Sequence, residues 1–247
     1  MGEAWIAPDW NAPPQVGAAV STRLGPGVSV PPYARMNLGL RSGDDLAAVA
    51  ANRAALALAL HLPAPPLWLR QVHGVEVAET RPGAGDEPVA DAAVARGPGK
   101  VLAILTADCL PVLFTTEDGG TIGAAHAGWR GLAAGVLQNT VARMDAPPAS
   151  ILAWLGPAIG GPSYEVGAEV RAAFVEVDPG AEVAFTPTRP GHWLCDLYVL
   201  ARRKLAALGV SQVSGGGFDT FRDQRLYSYR REGAASGRFA SLIWTTL

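Results

Sequence analysis

Short apolar runs, each the length of one buried strand, constrain this chain most. Residues 101–105 (VLAIL), 112–115, 121–125 and 151–155 each stop at a Gly, a Pro or a polar cluster. Runs this short and continuous fit strands covered on both faces. The stretch from Glu117 to Gly120 reads as the turn of a hairpin joining 112–115 to 121–125. Residues 17–22 and 238–245 read as further strands, and 67–71 and 75–79 as strands or a turn between them. Between them lie Ala- and Leu-rich stretches that favour helix. One runs from about 46 to 60, with Asp44 or Asp45 as its cap and Pro63, Pro65 and Pro66 ending it. Others cover 132–144, 167–175 and 197–208. Residues 81–88, 186–191 and Gly215-Gly216-Gly217 read as loops and turns. There is no repeat and no long linker. The expected fold is one α/β (α+β) domain over 1–247, with mixed sheets and helices outside them.

Composition excludes several classes. Apolar residues make up 49% of the chain, enough for a sizeable core. A net charge of −2 carries no nucleic-acid footprint. Two cysteines build no disulfide framework. No apolar run reaches the ~18 residues of a membrane span, and the first residues show neither a signal-peptide pattern nor a myristoylation signal. The expectation is a soluble cytoplasmic protein with no nucleic-acid or membrane partner.

Three of the six His and Cys residues fall in Gly- and Asp-marked segments beside apolar runs. They are His73 in QVHG, Cys109 in TADCLPVL and His126 in AAHAGWRG. Two imidazoles and a thiolate are a ligand set that zinc accepts, and three protein ligands leave a coordination position open. Their separations are far longer than those of a zinc-finger pair and suit ligands gathered from separate strands. Each also has a plain structural reading: a buried free Cys is usually inert, and a loop His needs no metal. The plain reading holds for His61 at a helix end, His192 in a Pro/Gly loop and Cys195 beside Asp196.

Among the arginines, Arg130 stands out, glycine-flanked and close to His126. Arg53, Arg230, Arg231 and Arg238 read mainly as surface charge. Asp108, Asp91 and Glu165 are unranked candidates for a proton shuttle or a ligand's support. No Ser lies in a nucleophile elbow, and no glycine string forms a phosphate cradle.

These segments together resemble the laccase-domain family, the YfiH-like proteins also described as polyphenol oxidase, peptidoglycan editing factor or purine nucleoside phosphorylase. The likeness runs through MNLGLRSGDD (36–45), NR (52–53), QVHG, TADCLPVL, AAHAGWRG, WLGPAIG (154–160), YEVG (164–167) and SYRR to ASLIW (228–244). It implies an αββα sandwich and a metal triad of His73, Cys109 and His126 holding zinc, with copper as the other reported metal. It also implies phosphorolysis of adenosine, inosine and methylthioadenosine, with adenosine deamination alongside. Asp108 is then expected at the catalytic site, and Arg130, Arg53 and Asn37 at the phosphate and substrate. Rival expectations are a peptidoglycan-precursor amide hydrolase on the same metal, a copper-dependent polyphenol oxidase, metal-free catalysis by Cys109, and a non-catalytic module stabilised by zinc. Two cysteine positions common in the family are here Asp219-Thr220 and Gly161-Pro162-Ser163, so no further metal site is implied.

Overall fold

A computed structural model of the chain describes residues 4–79 and 87–246. Four layers stack in the order helix, sheet, sheet, helix. The first sheet is antiparallel and joins β1 (Trp5–Ile6), β2 (Val16–Ser21), β13 (Phe239–Thr245) and β5 (Val101–Thr106), in that order. The second has six strands in the order β12 (Gln212–Gly215), β8 (Ile151–Leu155), β6 (Leu110–Thr116), β7 (Thr121–Ala127), β4 (Ala92–Arg96) and β3 (Val77–Glu79). It is mixed, with β12 and β3 parallel to their neighbours.

The alternation of side chains along each strand sorts the core into three slabs. Leu102 and Ile104 of β5 face Leu113, Ile122, Ala124 and Trp154 of the second sheet. Val101 and Ala103 face the other way, onto Leu56 of α1 (Leu46–Ala59). On the far side, Val112, Phe114, Ala153 and Leu155 meet Val141 of α3 (Val136–Met144) and Leu200 and Leu205 of α5 (Leu197–Ala207). Both sheets are therefore covered on both faces, and the apolar runs are continuous for that reason. Phe114 is fully buried; truncation to Ala should cost about 3–5 kcal/mol.

Local signals account for the helix limits. Asp45 caps α1, its carboxylate accepting the Ala47 N–H at 2.9 Å. Asp196 caps α5 by accepting from Tyr198 and Val199. The expected helix over 132–144 is two helices, α2 (Trp129–Ala134) and α3, because Gly135 takes φ +109° between them. The loop expected at 186–191 is the turn between β10 (Phe185–Pro187) and β11 (His192–Cys195), with its first two residues in β10; these two strands and β9 (Glu165–Gly167) form a three-stranded sheet. This sheet and α4 (Ala168–Val175) close one end of the outer helical layer. Residues 67–71 form isolated bridges only, Leu67 to Leu102 and Arg70 to Val89. Most of the expected loop at 81–88 lies outside the described residues. Among the described residues no helix is long and apolar enough to cross a membrane.

Candidate metal centre

Strand register places two of the three candidate ligands. In the β6–β7 ladder Leu110 faces Ala127, so Cys109 stands opposite Gly128. His126 shares the inter-sheet face of β7 with Ile122 and Ala124, and Cys109 shares the matching face of β6 with Leu113. The two side chains are thus diagonal neighbours at the mouth of the gap between the sheets. Gly128 makes room for them. A Cβ there would lie 2.9 Å from Cys109 Sγ, 3.2 Å from His73 Cδ2 and 3.5 Å from His126 Nε2.

Asp91 brings in the third. It precedes β4 and lies across the ladder from His126, whose backbone N–H donates to the Asp91 carbonyl at 2.7 Å. Its carboxylate, fully buried, accepts the N–H groups of Val72, His73 and Gly74 at 3.1, 2.9 and 2.7 Å. It also lies 2.8 Å from His126 Nδ1. One side chain therefore fixes the loop carrying His73, including that residue's left-handed φ of +62°, and turns His126 Nε2 toward Cys109. A carboxylate behind a ligating imidazole sets its tautomer and raises its basicity. Packing completes the loop's confinement: a Cβ on Gly131 would meet the Gly74 carbonyl at 2.8 Å.

The ligating atoms of His73, Cys109 and His126 all lie within 4.8 Å of one another. Cys109 Sγ is 3.9 Å from His73 Nε2, and the two imidazoles meet edge to face with centroids 4.8 Å apart. Burial pushes the Cys109 thiol up, but the imidazoles of His126 and His73 outweigh it and hold the thiol well below its ordinary value. Burial pushes His126 down, and the Cys109 thiolate and Asp91 raise it. Burial likewise pushes Asp91 up, and His126 with the backbone donors holds it below the carboxylate range. A thiolate and imidazoles around a space that any Cβ at position 128 would fill are the donor set of a three-ligand transition-metal site.

The trio opens into a cavity of about 560 Å³. Asp108 and Arg130 line it, as expected from the sequence. Asp108, at φ +92°, accepts from Thr220 Oγ1 and from the Arg230 N–H, both at 2.6 Å. Arg130 lies over the Trp129 ring at 4.4 Å. Arg53 and Asn37 do not line the cavity. Arg53 pairs with Glu87 at 2.8 Å, donates to the Leu38 carbonyl and stacks on Trp68. Asn37 is buried, bonded to Ser42, Asp44 and the backbone of Gly39 and Arg238. Glu165 lies outside as well, paired with Arg189. Arg41, Arg230, Arg238, Tyr164 and Tyr229 line the cavity without having been singled out for it. Arg230 and Arg238 depart from the surface role expected of them, and the signal in the sequence is their SYRR and SGR context.

Comparison with known proteins places this architecture. Residues 17–246 match the family model described as multi-copper polyphenol oxidoreductase laccase. A Xylella fastidiosa protein named purine nucleoside phosphorylase is 53% identical, over 98% of this chain and 97% of its own length. The Escherichia coli K12 protein named purine nucleoside phosphorylase YfiH is 48% identical, over 97% and 98%. The crystal structure of a Neisseria meningitidis DUF152 protein superposes with a TM-score of 0.94 at 44% identity, covering 99% of this chain and all of its own. Family model, relatives and superposed structure agree, and the chain belongs to the multi-copper polyphenol oxidoreductase laccase family.

Proposed function

We propose that this protein is a metal-dependent purine nucleoside phosphorylase that also deaminates adenosine. The observation that carries the proposal is the placing of an open His73–Cys109–His126 trio in a cavity with an unpaired arginine. The cavity's volume falls within the ~300–1,000 Å³ usual for small-molecule sites. Its relatives' names supply the substrate class.

His73, Cys109 and His126 would hold the metal, with zinc preferred for an imidazole and thiolate set. A bound zinc supplies Lewis acidity, stabilising negative charge on oxygen and lowering the pKa of water. The protein's own residues do the rest. Arg130 carries no ion pair among the described residues and, with Arg230, offers a fork to inorganic phosphate. Trp129 backs its guanidinium. Asp108, held by Thr220 and the Arg230 N–H, sets a proton-accepting carboxylate beside the trio. Deamination is supported by one further feature, a carboxylate next to a His/Cys ligand set, the pairing that zinc deaminases use.

Product analysis after incubation with adenosine, with and without phosphate, tests this. The expected result is adenine and ribose 1-phosphate only when phosphate is present, with inosine formed in either case. Failure to release adenine, together with amide cleavage of a UDP-muramyl precursor, would favour the peptidoglycan-editing alternative.

A further inference from the structure

The cavity holds more positive charge than one phosphate needs. Four arginines line it, Arg41, Arg130, Arg230 and Arg238, and Asp108 is the one carboxylate among the described lining residues. Arg230 donates to the Glu165 carbonyl, and Arg238 to those of Ser236 and Gly237. Such neutral acceptors orient a guanidinium without neutralising it. Arg41 shares the single carboxylate of Glu87 with Arg53, so that group of three keeps a net positive charge.

The arginines also come from different layers. Arg238 directly precedes β13 of the four-stranded sheet. The loop bearing Arg41 is tied to it: the Leu38 N–H donates to the Arg238 carbonyl at 3.0 Å and the Arg238 N–H donates to Asn37 Oδ1 at 2.8 Å. Arg130 lies in α2, which follows β7 of the six-stranded sheet, and Arg230 is anchored to β9 beyond it. One phosphate is met bidentately by one or two guanidinium groups; four, drawn from segments adjoining both sheets, exceed that need.

We propose that the cavity has two anion subsites. Arg130 and Arg230 take inorganic phosphate, and Arg41 and Arg238 take an anionic group on the purine substrate itself. The ligand class that follows is a nucleoside 5′-monophosphate. This rests on the nucleoside reading of the same cavity.

Titration calorimetry on the intact, metal-loaded protein with adenosine, adenosine 5′-monophosphate and inorganic phosphate tests it. The nucleotide should bind about tenfold or more tighter than adenosine. Saturating phosphate should leave its affinity within about twofold, since separate subsites do not exclude each other. In Arg41→Gln, a change at a side chain 59% exposed, the nucleotide-to-nucleoside preference should fall toward unity. A nucleotide that binds no tighter than adenosine, or that phosphate displaces in proportion, overturns the second subsite. Continued phosphorolysis of adenosine in that event would leave the proposed function standing. Binding of neither adenosine nor the nucleotide would overturn both.

Discussion

Cys109 and Cys195 are the chain's two thiols, and each sits at a strand end beside an aspartate. Their surroundings differ in two respects, for Cys109 lines the cavity beside two imidazoles and Cys195 is buried in the core. Cys195 ends β11 with its side chain in the core and no imidazole nearby, and burial pushes its thiol up to about 12. Cys109 precedes β6 with His126 and His73 around it, and they hold its thiol down to about 6 against the upward push of desolvation. Removal from water keeps a cysteine a thiol; paired imidazoles favour the thiolate, the form that a metal binds. Asp91 maintains the difference, because it positions both imidazoles.

The sharpest way to break this comparison is to remove each sulfur in turn. Cys109→Ala should abolish both bound metal and turnover while the fold persists, as seen by circular dichroism and metal analysis. Cys195→Ala should keep the metal and cost about 1–2 kcal/mol of stability. Stoichiometric metal in Cys109→Ala would sink the ligand assignment. Next in size is Asp91→Asn, which keeps the shape but loses the anionic acceptor. Metal affinity, read by competition with a chelator, should fall about 10–100-fold; an unchanged affinity would remove Asp91 from the account.

Alkylation of the metal-free protein sharpens the contrast without mutation. Only the thiolate reacts. Cys109 should therefore be modified with a midpoint near pH 6 and lose reactivity as pH falls through that value. Cys195 stays a thiol until pH approaches about 12 and should remain unmodified at neutral pH. Equal rates for the two, followed by peptide mass spectrometry, would contradict the electrostatics described. The arginines make a smaller version of the same comparison. Arg130→Ala should weaken phosphate-dependent turnover more than deamination. Arg53→Ala should instead cost about 1–3 kcal/mol of stability, through loss of its Glu87 pair and its bond to the Leu38 carbonyl. Equal losses of both activities in Arg130→Ala would refute a specific phosphate role.

What could be read from the sequence follows from where the information is local. The α1 limits are written in Asp45 and Pro63, and the β6–β7 hairpin in its apolar runs and the Glu117–Gly120 turn. His73, Cys109 and His126 are marked by their own neighbours. The position of Arg53 away from the cavity is not legible for the opposite reason: Glu87 and Trp68, which hold it, are distant in sequence. Asp91 carries the same lesson. Nothing in ADAAV ranks it above Asp108, and its role exists only once β4 lies beside β7 and the 72–74 amides fold over it. The three-stranded sheet was missed because β9, β10 and β11 are three or four residues long, and such strands gain their conformation from pairing rather than pattern. Gly135 broke one helix into two through a positive φ that its flanking Ala and Leu residues conceal.

On the proposed function, His73, Cys109 and His126 hold a metal on which turnover depends. Removing metal from the purified protein with a chelator and then restoring zinc, while following phosphate-dependent adenine release from adenosine, tests it most directly. The account predicts one metal ion per chain at the start, activity lost with it, and activity regained on its return. Undiminished turnover by the metal-free protein would contradict the account.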